Sequence, residues 1–118
     1  MELTFPPIPE DKKFDVIMEI LSFISPFNKL RKRDRQVLTG LYYANHKYKD
    51  IPEEKRNILI FDYDTRQEIS ERYGMSISSV YVSMMHLRKI GIITESSLVK
   101  KYIINDTNKI IFNISTIQ

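Results

Sequence analysis

The run Thr65-Arg66-Gln67-Glu68-Ile69-Ser70-Glu71-Arg72-Tyr73-Gly74-Met75-Ser76-Ile77-Ser78-Ser79-Val80-Tyr81-Val82-Ser83-Met84-Met85-His86-Leu87-Arg88-Lys89-Ile90-Gly91 carries two sets of helix start and stop signals in succession. Thr65 stands three residues before Glu68, the spacing of a reciprocal capping box, so a helix is expected to begin at Arg66. Ile69, Arg72 and Tyr73 carry it only as far as Gly74, where a left-handed residue can end it. Met75 is expected to pack inward. Ser76 is placed to cap a second helix, Ile77 to Ile90, with Val80, Ser83, Met84 and Leu87 as its buried stripe and Gly91 as its stop.

Two capped helices joined by a tight glycine-containing turn form a helix-turn-helix unit. This stretch resembles the winged helix-turn-helix domains of bacterial transcription regulators, most closely the GntR type. The resemblance rests on Ile69, Gly74 and Met75, and on Ser76-x-x-Ser79-Val80-x-x-Ser83-Met84-x-x-Leu87-x-x-x-Gly91-Ile92-Ile93, about ten positions in all. It departs from the family at Ser70 and Ser83, where small alanines are usual, and in having no arginine early in the second helix. The resemblance implies a mainly α chain with a small β-sheet, ordered helix, strand, helix, helix and β-hairpin over residues 32–114, with an additional N-terminal helix.

Outward from this unit, Asp11 to Ile24 shows Phe14, Ile17, Ile20, Leu21 and Ile24 at helical spacing, with Val16 and Phe23 adding apolar surface. Such a helix must bury two sides, either across the core or against a second copy of the chain. Residues 1–28 are therefore read as an arm with an apolar packing or dimerisation helix, and 29–118 as the winged domain. Pro6, Pro7 and Pro9 make residues 1–10 an extended arm, and Ser25-Pro26 reads as a helix stop and restart with Pro26 at a first helical position. Lys29-Leu30-Arg31-Lys32-Arg33-Asp34-Arg35 has five basic residues in seven and leads into a helix from about Lys32 to His46. Ile51 to Arg56 reads as a loop, and the β-branched and aromatic run Asn57 to Tyr63 as a strand. After Gly91, the polar bend Glu95–Leu98 is favoured as the wing tip over Asn105–Asn108, with Lys109 to Ile114 as a final strand.

The 118 residues suffice for one core, and the 42% apolar and 28% charged content is that of a folded globular chain. No apolar run approaches the roughly 18 residues of a membrane span, and the N-terminus lacks the features of a secretory signal, so a cytoplasmic protein is expected. The absence of cysteine excludes disulfides, thiolate zinc sites and cysteine nucleophiles. Isoleucine occurs 18 times, lysine 11 and alanine once, a bias of AT-rich genomes such as those of low-GC bacteria and their phages. The net charge of +3 is distributed in blocks: −3 over residues 1–28, +6 over 29–49, −3 over 50–75 and +3 over 76–118. Blocks of positive charge suit a polyanionic partner.

With the stripe turned to the core, helical geometry sends Ser78, Ser79, Tyr81, Val82 and Met85 outward. The major groove of double-stranded DNA, about 12 Å wide, admits such a helix. None of these side chains makes the bidentate arginine–guanine contact, so modest sequence preference or an A·T-rich site is expected. Gln67 is expected among the DNA-binding residues, and phosphate contacts are expected from Arg66, His86, Arg88, Lys89, the wing lysines Lys100, Lys101 and Lys109, and the basic run from Lys29 to Arg35. About five such cations give a log–log salt slope near −4.5. A two-fold dimer through residues 11–24 would set two such helices one DNA turn, about 34 Å, apart.

Other chemistry finds little support. His46 and His86 have no partner at metal-ligand spacing, and Tyr42, Tyr43 and Tyr48 fit core and rim better than a base-stacking platform. Asp62 and Asp64 lack a neighbouring base, nucleophile or glycine-rich loop. No enzyme, cofactor or small-molecule ligand is expected. The alternative is a winged helix serving as a protein-interaction or assembly module, a phage structural or replication component.

Overall fold

A buried carboxylate opens the longest helix, α2 (Lys32–Lys47): Asp34 accepts the Arg31 backbone N–H at 3.2 Å and its side-chain Nε and Nη2 at 3.3 and 3.0 Å. In the computed structural model, which describes residues 2–4, 9–103 and 109–111, the other helices pack around this one. Val37, Leu38, Leu41 and Tyr42 of α2 are almost wholly buried. The chain is mainly helical.

The first helix, α1 (Lys13–Leu21), follows a 3-10 turn at Glu10–Lys12 and is shorter than the span from Asp11 to Ile24 expected from the sequence. Phe14, Ile17, Met18 and Leu21 are buried in the same core as α2, and the Phe14 ring meets Tyr43 edge-on at 5.0 Å. Helix does not restart at Pro26. The Ser25–Pro26 peptide is cis and the chain enters a 3-10 turn, Phe27–Lys29, that drops Phe27 and then Leu30 into the core.

The strand expected at Asn57 to Tyr63 is not formed: Tyr63 begins the next helix, and residues 57–60 complete helix α3 (Glu53–Ile60), which also takes in most of the loop expected at Ile51 to Arg56. Pro52 sits just before its first turn and Glu53 and Glu54 lie within it, where carboxylates meet the positive end of the helix dipole. Among its own residues only Ile60 is buried, while Ile58 faces solvent, so a single anchor and the terminal charges outweigh β-branching. The next helix, α4 (Tyr63–Tyr73), begins before Arg66 because Asp62 is the cap: its Oδ1 accepts the Thr65 N–H at 3.0 Å. The Thr65 hydroxyl does not cap; it is buried and donates to the Leu59 carbonyl at 2.7 Å.

Gly74 ends α4 with φ 62° and ψ 42°, and the Met75 N–H returns to the Ser70 carbonyl at 3.0 Å while the Ser70 hydroxyl donates to the Met75 carbonyl. This reciprocal pair locks the corner. Ser76 then caps α5 (Ile77–Ile90), accepting the Ser79 N–H at 3.1 Å, and Gly91, at φ 92°, ends it. Val80, Ser83, Met84 and Leu87 are the buried residues of α5, and they face α2 and α4.

The hairpin expected after Gly91 shrinks to its innermost pairing, in which the Val99 N–H donates to the Ile92 carbonyl at 3.1 Å. Ile92, Ile93 and Leu98 are buried, and Thr94 donates to the Ser97 carbonyl at 2.8 Å, but the strands reduce to one bridge between Ile93 and Leu98. Lys100–Tyr102 is a 3-10 turn rather than a strand. Tyr102 explains this: its carbonyl accepts the buried Tyr42 hydroxyl at 2.5 Å and its ring meets Phe27 edge-on at 5.9 Å, turning the chain back onto the core. Strands β1 (Glu2–Thr4) and β2 (Lys109–Ile111) pair antiparallel with Leu3 opposite Ile110, so Lys109 lies across from Thr4 and not in a wing. The turn expected at Asn105–Asn108 and the end of the final strand, 112–114, fall outside the described residues.

Candidate nucleic-acid interface

Because α5 buries Val80, Met84 and Leu87, positions 78, 81, 82, 85 and 89 form the opposite stripe. Ser78, Tyr81, Val82, Met85 and Lys89 are all exposed. The three apolar members retain 44% (Tyr81), 43% (Val82) and 62% (Met85) of their accessible surface and stand next to one another on that stripe. Ser79 is half-buried. Its hydroxyl lies 3.0 Å from that of Ser76 and accepts from Arg33 Nη1 at 3.2 Å.

The positively charged residues expected around this face divide into three groups. Arg33 is brought to the N-terminal end of α5 by that bond to Ser79, a contact invisible in the sequence because 46 residues separate the two. Arg66 reaches α5 differently: its guanidinium lies 4.8 Å from the Tyr81 ring centroid and donates to the Phe61 carbonyl at 2.6 Å, and its Nε is buried with no hydrogen-bond partner. Gln67 is exposed on α4. Lys89, Lys100 and Lys101 point to solvent at the far end, with Lys101 Nζ 5.5 Å from the Tyr102 ring.

Arg88 and His86 are engaged within the chain. Arg88 Nε donates to the Thr94 carbonyl at 3.3 Å and lies 3.8 Å from the Glu95 carboxylate, which fastens the end of α5 to the following turn. His86 Nδ1 lies 3.2 Å from Asp34 Oδ1, joining α5 to the start of α2. Burial pushes the Asp34 carboxyl up, but hydrogen bonds from the Arg31 guanidinium and amide and from His86 outweigh it and hold it below the ordinary carboxylate range. Of the basic run, Arg31 is thus paired with Asp34 and Arg35 donates to the Leu30 carbonyl, while Lys29 and Lys32 remain exposed. The signal that separates these roles is Asp34, the one acid inside the run.

A second polar cluster ties α1 to the rest. The Asp15 carboxylate accepts the Tyr43 hydroxyl at 2.7 Å and the Tyr73 hydroxyl at 2.6 Å, and Arg72 Nη2 lies 3.2 Å away with its guanidinium 3.8 Å from the Tyr43 ring. Burial and the bond to Asp15 push the Tyr43 phenol up to about 12, and the same causes raise Tyr73.

No protein-family model, curated protein or solved structure matches this chain. Among the described residues no helix is long and apolar enough to cross a membrane, and no three His, Asp or Glu side chains gather as a metal ion requires.

Proposed function

We propose that the protein binds double-stranded DNA by laying α5 in the major groove, as a small transcription regulator of helix-turn-helix type. The observation that carries this reading is the division of α5: one face is sealed onto α2 and α4, and the opposite face projects from the surface between Arg33 and Arg66 near its start and Lys89 at its end. In this reading α4, the Gly74–Ser76 corner and α5 are the helix-turn-helix, and the short turn closed by Thr94 and Ser97 stands where a wing would be. Phosphate contacts then come from Arg33, Lys32, Lys89, Lys100 and Lys101.

Fluorescence anisotropy on duplex DNA tests it. Binding should weaken with salt along a log–log slope of about −3 to −4.5, for roughly three to five neutralised phosphates. Arg33→Glu combined with Lys89→Glu should lower affinity on every sequence and flatten that slope. Failure to bind any duplex at low salt overturns the reading.

The exposed Tyr81, Val82 and Met85 favour a second reading, a protein-docking module, since apolar patches of this kind also mark protein interfaces. Its signature is no duplex binding together with self-association that Met85→Asp abolishes. As for a dimer through residues 11–24, Phe14, Ile17, Met18 and Leu21 are occupied in the core, which leaves Phe23, 85% exposed, and the half-buried Val16 and Ile20 to a second copy. Sedimentation of Phe23→Ser beside the parent chain tests that contact.

A further inference from the structure

We propose that α5 selects its DNA by the C5-methyl group of thymine, read by Val82 and Met85. The inference rests on the reading of α5 as the groove helix and adds what that helix recognises.

The stripe 78, 81, 82, 85, 89 follows the three-and-four spacing of one helix face. At about 1.5 Å per residue it is roughly 16 Å long, or about five base pairs at 3.4 Å each. Its central positions hold Tyr81, Val82 and Met85, all exposed.

The groups that normally discriminate bases are occupied nearby. Arg33 is bonded to the Ser79 hydroxyl, and Arg66 is stacked on Tyr81 with one amino group on the Phe61 carbonyl. Arg66 does not present the free planar fork that a guanine edge requires, and Arg33 is held by Ser79 at the start of α5, away from the central Val82 and Met85. The outward stripe contains no Arg, Asn, Gln, Asp or Glu; its hydrogen-bonding groups are the Ser78 hydroxyl, the Tyr81 phenol and the terminal Lys89 ammonium. In the major groove, the apolar feature available to Val82 and Met85 is the thymine methyl, which cytosine lacks. The flanking cations supply the charge complementarity that favours DNA over an apolar protein surface as the occupant.

The test compares one A·T-rich duplex with the same duplex carrying deoxyuridine in place of every thymidine. The two have equal charge and the same base pairing and differ only in the methyl groups. The thymine duplex should bind more tightly by about fourfold for each methyl covered. A G·C-rich duplex bearing 5-methylcytosine should likewise gain over its unmethylated form. Val82→Ser with Met85→Gln, both at exposed positions, should erase these differences while keeping the salt slope.

Equal binding of the thymine and uracil duplexes by the parent chain overturns this inference and leaves the DNA-binding reading standing. No binding of either at low salt overturns both. The parent-chain comparison needs no variant and stands even if the double substitution fails to fold.

Discussion

A Cβ placed on Gly40 would lie 2.4 Å from Cγ1 and 3.0 Å from Cδ1 of Ile69, so α2 and α4 approach at a point that only a residue without a side chain allows. Gly40 is in the middle of a helix, where glycine is intrinsically unfavourable by about 1 kcal/mol relative to alanine. The close approach sets the position of α4 against α2, and with it that of the Gly74 corner and α5.

Gly40→Ala should therefore destabilise the chain by about 1–2 kcal/mol despite the better helix former, because overpacking costs more than propensity returns. Urea unfolding measures it. Combining it with Ile69→Ala should cost less than the sum of the two single changes. Stabilisation by Gly40→Ala alone would show that the contact is loose.

Asp34→Asn keeps one acceptor oxygen for the Arg31 amide but replaces the other by an amino group and removes the charge, so the two-oxygen pairing with Arg31 and His86 is broken, and it should cost about 1–3 kcal/mol. The sign with pH follows from the lowered folded-state pKa. The contribution of Asp34 is present above its unfolded value, about 3.9, and is lost as pH falls through the lower folded value. The parent chain should thus lose stability below about pH 4 more steeply than the variant in thermal melts. Parallel acid limbs would contradict the assignment.

Tyr73→Phe leaves the Asp15 carboxylate with one phenol fewer and should weaken the docking of α1 by about 1 kcal/mol at neutral pH. Tyr43 and Tyr73 are both held neutral by the fold. Their contribution is whole below the unfolded value of about 10 and is lost as pH rises through the raised folded values, about 12 for Tyr43. Melts from pH 8 to 12 should show an alkaline decline that is shallower in Tyr73→Phe. The loss should appear first as faster amide exchange in α1.

The parts of this structure that local chemistry determines were legible in the sequence. The Ser76 cap, the Val80, Ser83, Met84 and Leu87 stripe and the Gly91 stop define α5 between residues 76 and 91, and its exposed face follows from helix geometry alone. What escaped depends on distant partners or on competing local signals. Ile58, Leu59 and Ile60 resemble a strand, but Pro52, Glu53 and Glu54 before them start a helix and Ile60 alone anchors it. The hairpin after Gly91 is cut short at Val99, beyond which the chain turns and Tyr102 docks on Tyr42, 60 residues earlier. At the candidate site, Arg33 and Arg66 could be recognised as cations but not as cations already bonded to Ser79 and Tyr81.

Handedness, rather than room, reserves position 74 for glycine. Its backbone has φ 62° and ψ 42°, and nothing lies within 4 Å of where a methyl would sit. L-alanine there should cost about 1–2 kcal/mol. A chain assembled from synthetic segments with D-alanine at 74 finds the same dihedrals at an energy minimum, and the added methyl restricts the unfolded ensemble. The mirror-image residue should raise stability by about 0.4–1 kcal/mol, so the bend between α4 and α5 can be stiffened by a change of configuration at a single carbon.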